Sequence, residues 1–542
     1  MPVPPRMSAL RPSMNPVVRV VVCAMLLLAA ACTHVPPAVQ SASAPPVAQH
    51  PDHREQLFVA DELVRRGCYD CMKDALAGYE ALLADPEVGS RARESAVRVS
   101  LLLALRETEL GLARGKYVQH ARQLMGPVES ASPELPGLVE IAEVIASGPV
   151  GFTRTASTDA QIAAMLTVSR SQERWATILR NLIPGDLTAS YLWVSLACGA
   201  YGSTFPDTDS RAAVLRMVEG VPLIAYKVAT ACGLTSAEPL EAQLATEPRF
   251  HEIHYHLGLL ALGGQTSRAP DLDAADTRFR AAYAWRQDWP TLTLAMANVA
   301  MSAEDFPRAF DYYQRTLALS STETDALLGT IRALTYSNRH EEAVSACDRL
   351  LASGRNPGEA HYWRALNLAR LKRDDEAWSD IEQAASALMN AEVPKLAGIL
   401  AINRRDYATA RQRLELASVR RRADCETSYY LQAVLAEQKD WDATARVASE
   451  AGSCFDNEEA SIQQELAVVR ASLMAEDRRA RLVARREQQL ASNARMRATV
   501  WYNAAAANFN LSRADEARRF AEKVADDVFY GDRARSLLDR LR

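Results

Sequence analysis

The stretch Asp305-Phe306-Pro307-Arg308-Ala309-Phe310-Asp311-Tyr312-Tyr313-Gln314-Arg315-Thr316 decides the fold, because its pattern returns 34 residues later as Arg339-His340-Glu341-Glu342-Ala343-Val344-Ser345-Ala346-Cys347-Asp348-Arg349-Leu350. In both, a polar turn leads to an alanine, a larger residue follows four positions on, and another inward-facing residue follows at seven. Offsets of four and seven share one face of a helix, so the small residue marks where a neighbouring helix comes close and the larger one fills the space beside it. The same order holds at Ala275, Phe279 and Ala282, and at Ala377, Ile381 and Ala384. A fixed step of this length over four units predicts stacked helix pairs rather than a single globular core.

Outward from these units the ruler weakens in an interpretable way. Gly398 and Ala410 stand 12 apart, as the small residues of one hairpin do, with the step shifted by one. Asp440-Trp441 mirrors Asp406-Tyr407, although Thr444 occupies the alanine position. Between Gly452 and Gly531 there is no glycine or proline, which predicts long uninterrupted helices through the arginine-rich segment 478–497. That segment is interleaved with Glu476, Asp477 and Glu487 and reads as a solvated helix face. Before residue 250, segments 56–126 read as helix pairs, including Asp74–Pro86 and one long helix carrying Val97, Leu101, Ala104 and Leu105 on a face. From 126 to 245 the period is lost, and breaks at Gly148-Pro149, Pro184-Gly185 and Pro206 separate helix-length segments such as the apolar Leu187–Cys198.

The final unit carries a specific resemblance. Trp501-Tyr502-Asn503, then Ala505, Ser512 and Asp515-Glu516-Ala517, resembles the tetratricopeptide repeat (TPR), as does the array from about 250 to 530. The resemblance implies an all-α, right-handed α-solenoid of TPR-like hairpins that binds proteins or peptides. The expected organisation is a signal peptide at 1–32, a linker at 33–54, a divergent helical region at 55–249, the array at 250–452, and long helices, a last repeat and a capping helix at 453–542.

The N-terminus reads as an export signal. Arg6, Arg11 and Arg19 precede an apolar run, Val20 to Ala31, too short to span a bilayer as a helix. It ends Leu28-Ala29-Ala30-Ala31-Cys32, which resembles the lipobox of bacterial lipoproteins, with Ala29 where leucine is commoner; cleavage without lipidation is the alternative. Thr33 after the cysteine implies, by that resemblance, the periplasmic face of the outer membrane. Residues 33–51 contain five prolines and no Asp, Glu, Lys or Arg, so they form a tether able to reach about 60 Å at roughly 3.1 Å per residue.

An oxidising compartment makes cysteine pairing expected. Cys425 opens a first helix and Cys454 closes the following helix, so an antiparallel hairpin makes them neighbours; Cys198 and Cys232, each beside a glycine-containing break, form a second candidate pair. Cys347 falls on the buried four-on position and is expected to be a free, packed thiol. Cys68-Tyr-Asp-Cys71 lies between two helical segments with no strand nearby, which favours a structural loop disulfide over thiol chemistry.

Composition narrows the function classes. A net charge of −5 on 542 residues gives no footprint for nucleic acid. There is no phosphate-binding glycine loop, no G-x-S-x-G and no H-E-x-x-H, and no cofactor is implied. His251, His254 and His256 are the best metal candidates, yet His256 points off the face the other two share, so no metal site is expected. Not an enzyme but a binding scaffold is the expected class, with a protein or peptide partner in the envelope and a membrane anchor. Rival readings are an accessory solute-binding component of an uptake system and a CxxC thiol-disulfide protein. By the resemblance, first-helix positions face the concave groove: Leu294 and Asn298, Arg332 and Tyr336, Tyr362 and Arg370, Lys395 and Asn403, Tyr429 and Glu437. Aromatic and cationic groups there suit an extended peptide bearing carboxylates.

Overall fold

The computed structural model describes residues 52–112, 115–126, 132–147, 173–183, 185–198, 215–232, 236–263 and 270–541, together with 171 and 212. The export segment, the lipidation candidate Cys32 and the proline-rich stretch up to Pro51 lie outside the described residues. Among the described residues every regular element is a helix, and none is long and apolar enough to cross a membrane.

The array is a run of antiparallel hairpins: 290–302 with 306–319, 324–336 with 340–352, 357–370 with 374–387, 392–403 with 407–420, and 425–437 with the start of 441–471. One turn geometry serves them all. A residue in the left-handed region stands at Glu304, Asn338, Lys372, Arg405 and Lys439, and again at Ser512 in the last unit. The next amide reaches back five residues in each case, as Asp305 N to Ala300 O and Asp406 N to Ala401 O, both at 2.9 Å. That pattern satisfies the orphan carbonyls at the end of the first helix. The second helix then starts on a capping aspartate where the sequence supplies one: the Asp305 carboxylate accepts from Arg308 N at 3.4 Å and that of Asp406 from Thr409 N at 3.1 Å.

The alanine ruler is the packing register. Ala275, Ala309, Ala343, Ala377, Ala410 and Ala517 each occupy the fourth residue of a second helix and have no solvent exposure; Thr444, which stands in for alanine, is buried too. Phe279, Tyr313, Cys347 and Ile381 are buried beside them. A Cβ on Gly258 would meet the Phe279 ring at 2.4 Å, and one on Gly452 would meet the Trp501 indole at 2.5 Å, so both contacts require glycine. Ala343→Trp is therefore expected to destabilise the array by about 1–3 kcal/mol through overpacking. An unchanged thermal melt for that variant would show the register to be wrong.

N-terminal to the array, helices 53–66, 69–81, 89–110, 116–125 and 135–147 lead into 187–198, 222–231, 238–246 and the first-repeat pair 252–261 and 272–285. Helix Leu187–Cys198 is buried from Thr188 to Leu196, which accounts for its apolar run. One continuous core extends from Leu57 to Val299, so the divergent region packs directly on the first repeats. Beyond it the core divides into smaller successive clusters, as expected when each repeat touches only its neighbours.

Two long helices, Trp441–Ala471 and Glu476–Asn510, complete the chain with 514–522 and 531–540. They are zipped antiparallel by Arg470 to Glu487 at 2.8 Å, Arg486 to Glu465 at 2.9 Å and Asn493 to Glu458 at 3.1 Å. The cysteines pair as Cys68–Cys71, Cys198–Cys232 and Cys425–Cys454, and Cys347 is free and buried.

Candidate functional site

First helices of successive repeats lie side by side, so residues at equivalent positions form ladders. Tyr336 is 46% exposed; its ring lies 5.2 Å from Phe306 and edge-on to Trp363 at 6.2 Å. Tyr362 meets the same indole edge-on at 5.4 Å, and the Arg332 guanidinium lies 5.6 Å over it, with Glu359 at 3.9 Å. Arg332, Tyr336 and Tyr362 thus converge on a patch centred on Trp363. Sequence reading missed Trp363 and Phe306, although Trp363 stands directly after Tyr362. Rings that present their faces and edges beside a half-free guanidinium can hold an extended peptide by stacking and by pairing with a carboxylate.

The other groove candidates are placed differently. Leu294 is half-buried in the adjoining core, and exposed Asn298 is fixed by the Tyr313 hydroxyl, which donates to its Oδ1 at 2.8 Å. Arg370, Asn403 and Glu437 are exposed at helix ends. Lys395 is held by Glu392 at 2.8 Å, Glu426 at 3.2 Å and Asp424 at 3.3 Å. Burial opposes its charge, but those three carboxylates outweigh burial and raise its pKa, so the ammonium stays charged and is already paired within the protein. Tyr429 is half-buried against the cluster of Ala451, Phe455 and Val500 and edge-on to Tyr430 at 5.1 Å.

The arginine-rich segment departs from the solvated face expected of it. Arg478 pairs with Asp273 at 2.9 Å, Arg481 with Asp305 at 3.3 Å, and Arg485 and Arg486 with Glu304 at 2.9 and 3.1 Å. Arg485 also lies 4.6 Å over Phe306 and 5.9 Å over Tyr336. The reason is complementary charge some 180 residues away in the chain, invisible to any local window.

A buried charge cluster lies at the junction between the divergent region and the first repeat. Arg106, fully buried, donates to the equally buried Glu252 at 2.5 Å and to the Tyr191 hydroxyl at 3.2 Å, and its guanidinium lies 4.0 Å over the Tyr226 ring. Glu109 accepts from Lys227 at 2.5 Å and from Tyr191 Oη at 2.6 Å. The Tyr69 amide donates to Glu252 at 2.8 Å. Burial works against the Arg106 charge, but the surrounding Tyr191, Tyr226, Glu252 and Glu109 raise its pKa, whereas burial raises that of Glu252. The cluster joins the divergent region to the first repeat, and its charges are mutually compensated rather than offered to a substrate.

The histidines go three ways. His251 stacks on Trp285 at 5.6 Å, His254 is partly buried, and His256 Nε2 meets the Tyr226 hydroxyl at 2.7 Å. Burial lowers the His256 pKa to about 3, which keeps the ring neutral. Cys68 caps helix Tyr69–Ala81, its Sγ accepting from Cys71 N at 2.9 Å, so the helix starts earlier than the spacing predicted. Both sulfurs are fully buried, out of reach of an attacking thiolate. A cleft of about 600 Å³ opens among helices 53–66, 69–81, 89–110 and 187–198, but its Arg91 pairs with Asp61 and its Arg98 with Glu94 and Asp186.

Hairpins of one turn geometry, stacked on a ladder of buried alanines at a step of 34, define the architecture. The fold is a tetratricopeptide-repeat solenoid. No protein-family profile matches the chain and no curated protein is recognisably similar to it. Solved structures similar to it include a named tetratricopeptide repeat protein. The Cut9–Hcn1 hetero-tetramer of the APC/C is 10% identical, with 91% of this chain and 96% of that one covered at a TM-score of 0.36. A tetratricopeptide repeat protein from Parabacteroides merdae is 13% identical over 54% of this chain and 98% of its own, TM-score 0.33. PilF of Pseudomonas aeruginosa is 18% identical over 37% and 89%, TM-score 0.32.

Proposed function

We propose that this chain is a non-enzymatic scaffold, lipid-anchored through Cys32 at the periplasmic face of the outer membrane, that binds an extended segment of another envelope protein on the concave side of its array. The observation carrying the reading is the convergence of Arg332, Tyr336 and Tyr362 on Trp363, an arginine-aromatic patch on adjacent first helices. Such groups dominate interface energetics because they bury area and offer bidentate pairing at little conformational cost. The export-like segment and the charge-free proline tether support the location.

A photo-crosslinking residue at Tyr336, introduced in the cell of origin, is expected to capture one envelope protein. Arg332→Glu should abolish that adduct, and the same probe at exposed Glu382 should not form it. Incorporation of labelled palmitate should depend on Cys32. No adduct from Tyr336, with small carboxylic acids raising the melting temperature instead, would overturn the reading in favour of solute binding.

A further inference from the structure

The long hairpin is held differently at its two ends. At its root Ala448, Ala451, Phe455, Val500, Trp501, Ala504 and Ala505 are buried among apolar neighbours. From there helix Glu476–Asn510 runs about 36 Å back to its start, at 1.5 Å per residue. Its far end reaches the repeats around 273–306, where Arg478, Arg481, Arg485 and Arg486 meet Asp273, Asp305 and Glu304. Partly exposed ion pairs of this kind contribute little each and are screened by salt, whereas the apolar root is not. A rod fixed firmly at one end and electrostatically at the other is released first at its far end.

We propose that the C-terminal hairpin is a strap that closes over the array in cis, and that the acidic-aromatic surface beneath it, Asp273, Glu304, Asp305, Phe306 and Tyr336, is a docking site for an arginine-rich helix of a partner. The occupant's chemistry is read from the segment seated there. Arg485 places its guanidinium over Phe306 while its Nε pairs with Glu304, a combination that a basic helix from another chain reproduces. Opening bares Phe306 and the remainder of Tyr336 together with three carboxylates, which would otherwise stand uncompensated. Tyr336 borders the patch argued above, but the strap reading does not rest on that patch and its test needs no envelope protein.

Hydrogen exchange of amides 476–486 in the full chain reads the strap directly, and a labelled synthetic peptide of residues 476–492 reads the site. In Arg485→Glu/Arg486→Glu, those amides should exchange at least about tenfold faster than in the parent chain, while the root amides 498–505 keep their protection. The peptide should bind that variant at least about tenfold more tightly than the parent, and raised salt should weaken the binding. Glu304→Arg should likewise free the strap yet fail to bind the peptide. Combining Glu304→Arg with Arg485→Glu/Arg486→Glu should restore protection. Unchanged exchange in Arg485→Glu/Arg486→Glu, equal peptide binding by that variant and the parent, or no recovery in the charge-swapped chain would overturn the proposal. Protection that depends on protein concentration would seat the strap on a second copy and overturn the closure in cis.

Discussion

Arg106→Ala is expected to loosen the junction between the divergent region and the array by about 3–5 kcal/mol, the cost of leaving a buried charge without its partner. The magnitude follows from the surroundings. Glu252 has no solvent exposure, and besides the Arg106 guanidinium its carboxylate accepts from the Tyr69 amide at 2.8 Å. The guanidinium also fills the space against Tyr226, so truncation removes packing as well as charge. Native-state hydrogen exchange over 101–110 and 252–261 measures the opening free energy of the two helices that the pair joins. Arg106→Met with Glu252→Leu, which removes both charges and keeps volume, should be less destabilised than Arg106→Ala. A double variant worse than the single would show that the ion pair itself, rather than the avoidance of an orphaned charge, stabilises the junction.

Features carried by a local period are legible in this sequence, and features carried by distant complementarity are not. The alanines at 275, 309, 343 and 377 report their own burial because each lies on a repeated face, and Cys347 inherits its buried place from the same register. The Cys425–Cys454 pairing is legible for the same reason, since the hairpin fixes which ends are neighbours. Arg106 and Glu252 stand 146 positions apart. Nothing in Leu101–Leu112 says that the arginine turns inward, beyond its place at the end of an apolar run. The segment 478–497 carries seven arginines against one glutamate, which shows its charge but not its partner, and only the fold brings Glu304 and Asp305 under its arginines. Trp363 is not among the first-helix residues that the resemblance assigns to the groove; in the structure it packs within the repeat and also receives Arg332 and Tyr336.

Removing the bridge between Cys425 and Cys454 by alanine at both positions should cost about 3.5 kcal/mol, the loop-closure term for a separation of 29 residues. The position of the bridge gives that loss a direction. Cys425 starts helix 425–437, and Cys454 lies where helix 441–471 outgrows the length of a repeat helix and becomes the first arm of the hairpin. Next to it Gly452 admits the Trp501 indole, and Phe455 packs with Val500 from the returning arm. The bridge therefore braces the root from which the whole hairpin extends. Loss of the bridge should lower protection over 448–455 and 498–505 more than over the array at 309–350, whose register does not depend on it. Differential exchange between those segments checks this. Uniform loss across all of them would mean that the bridge stabilises the chain only by restricting its unfolded state and leaves the root itself unbraced.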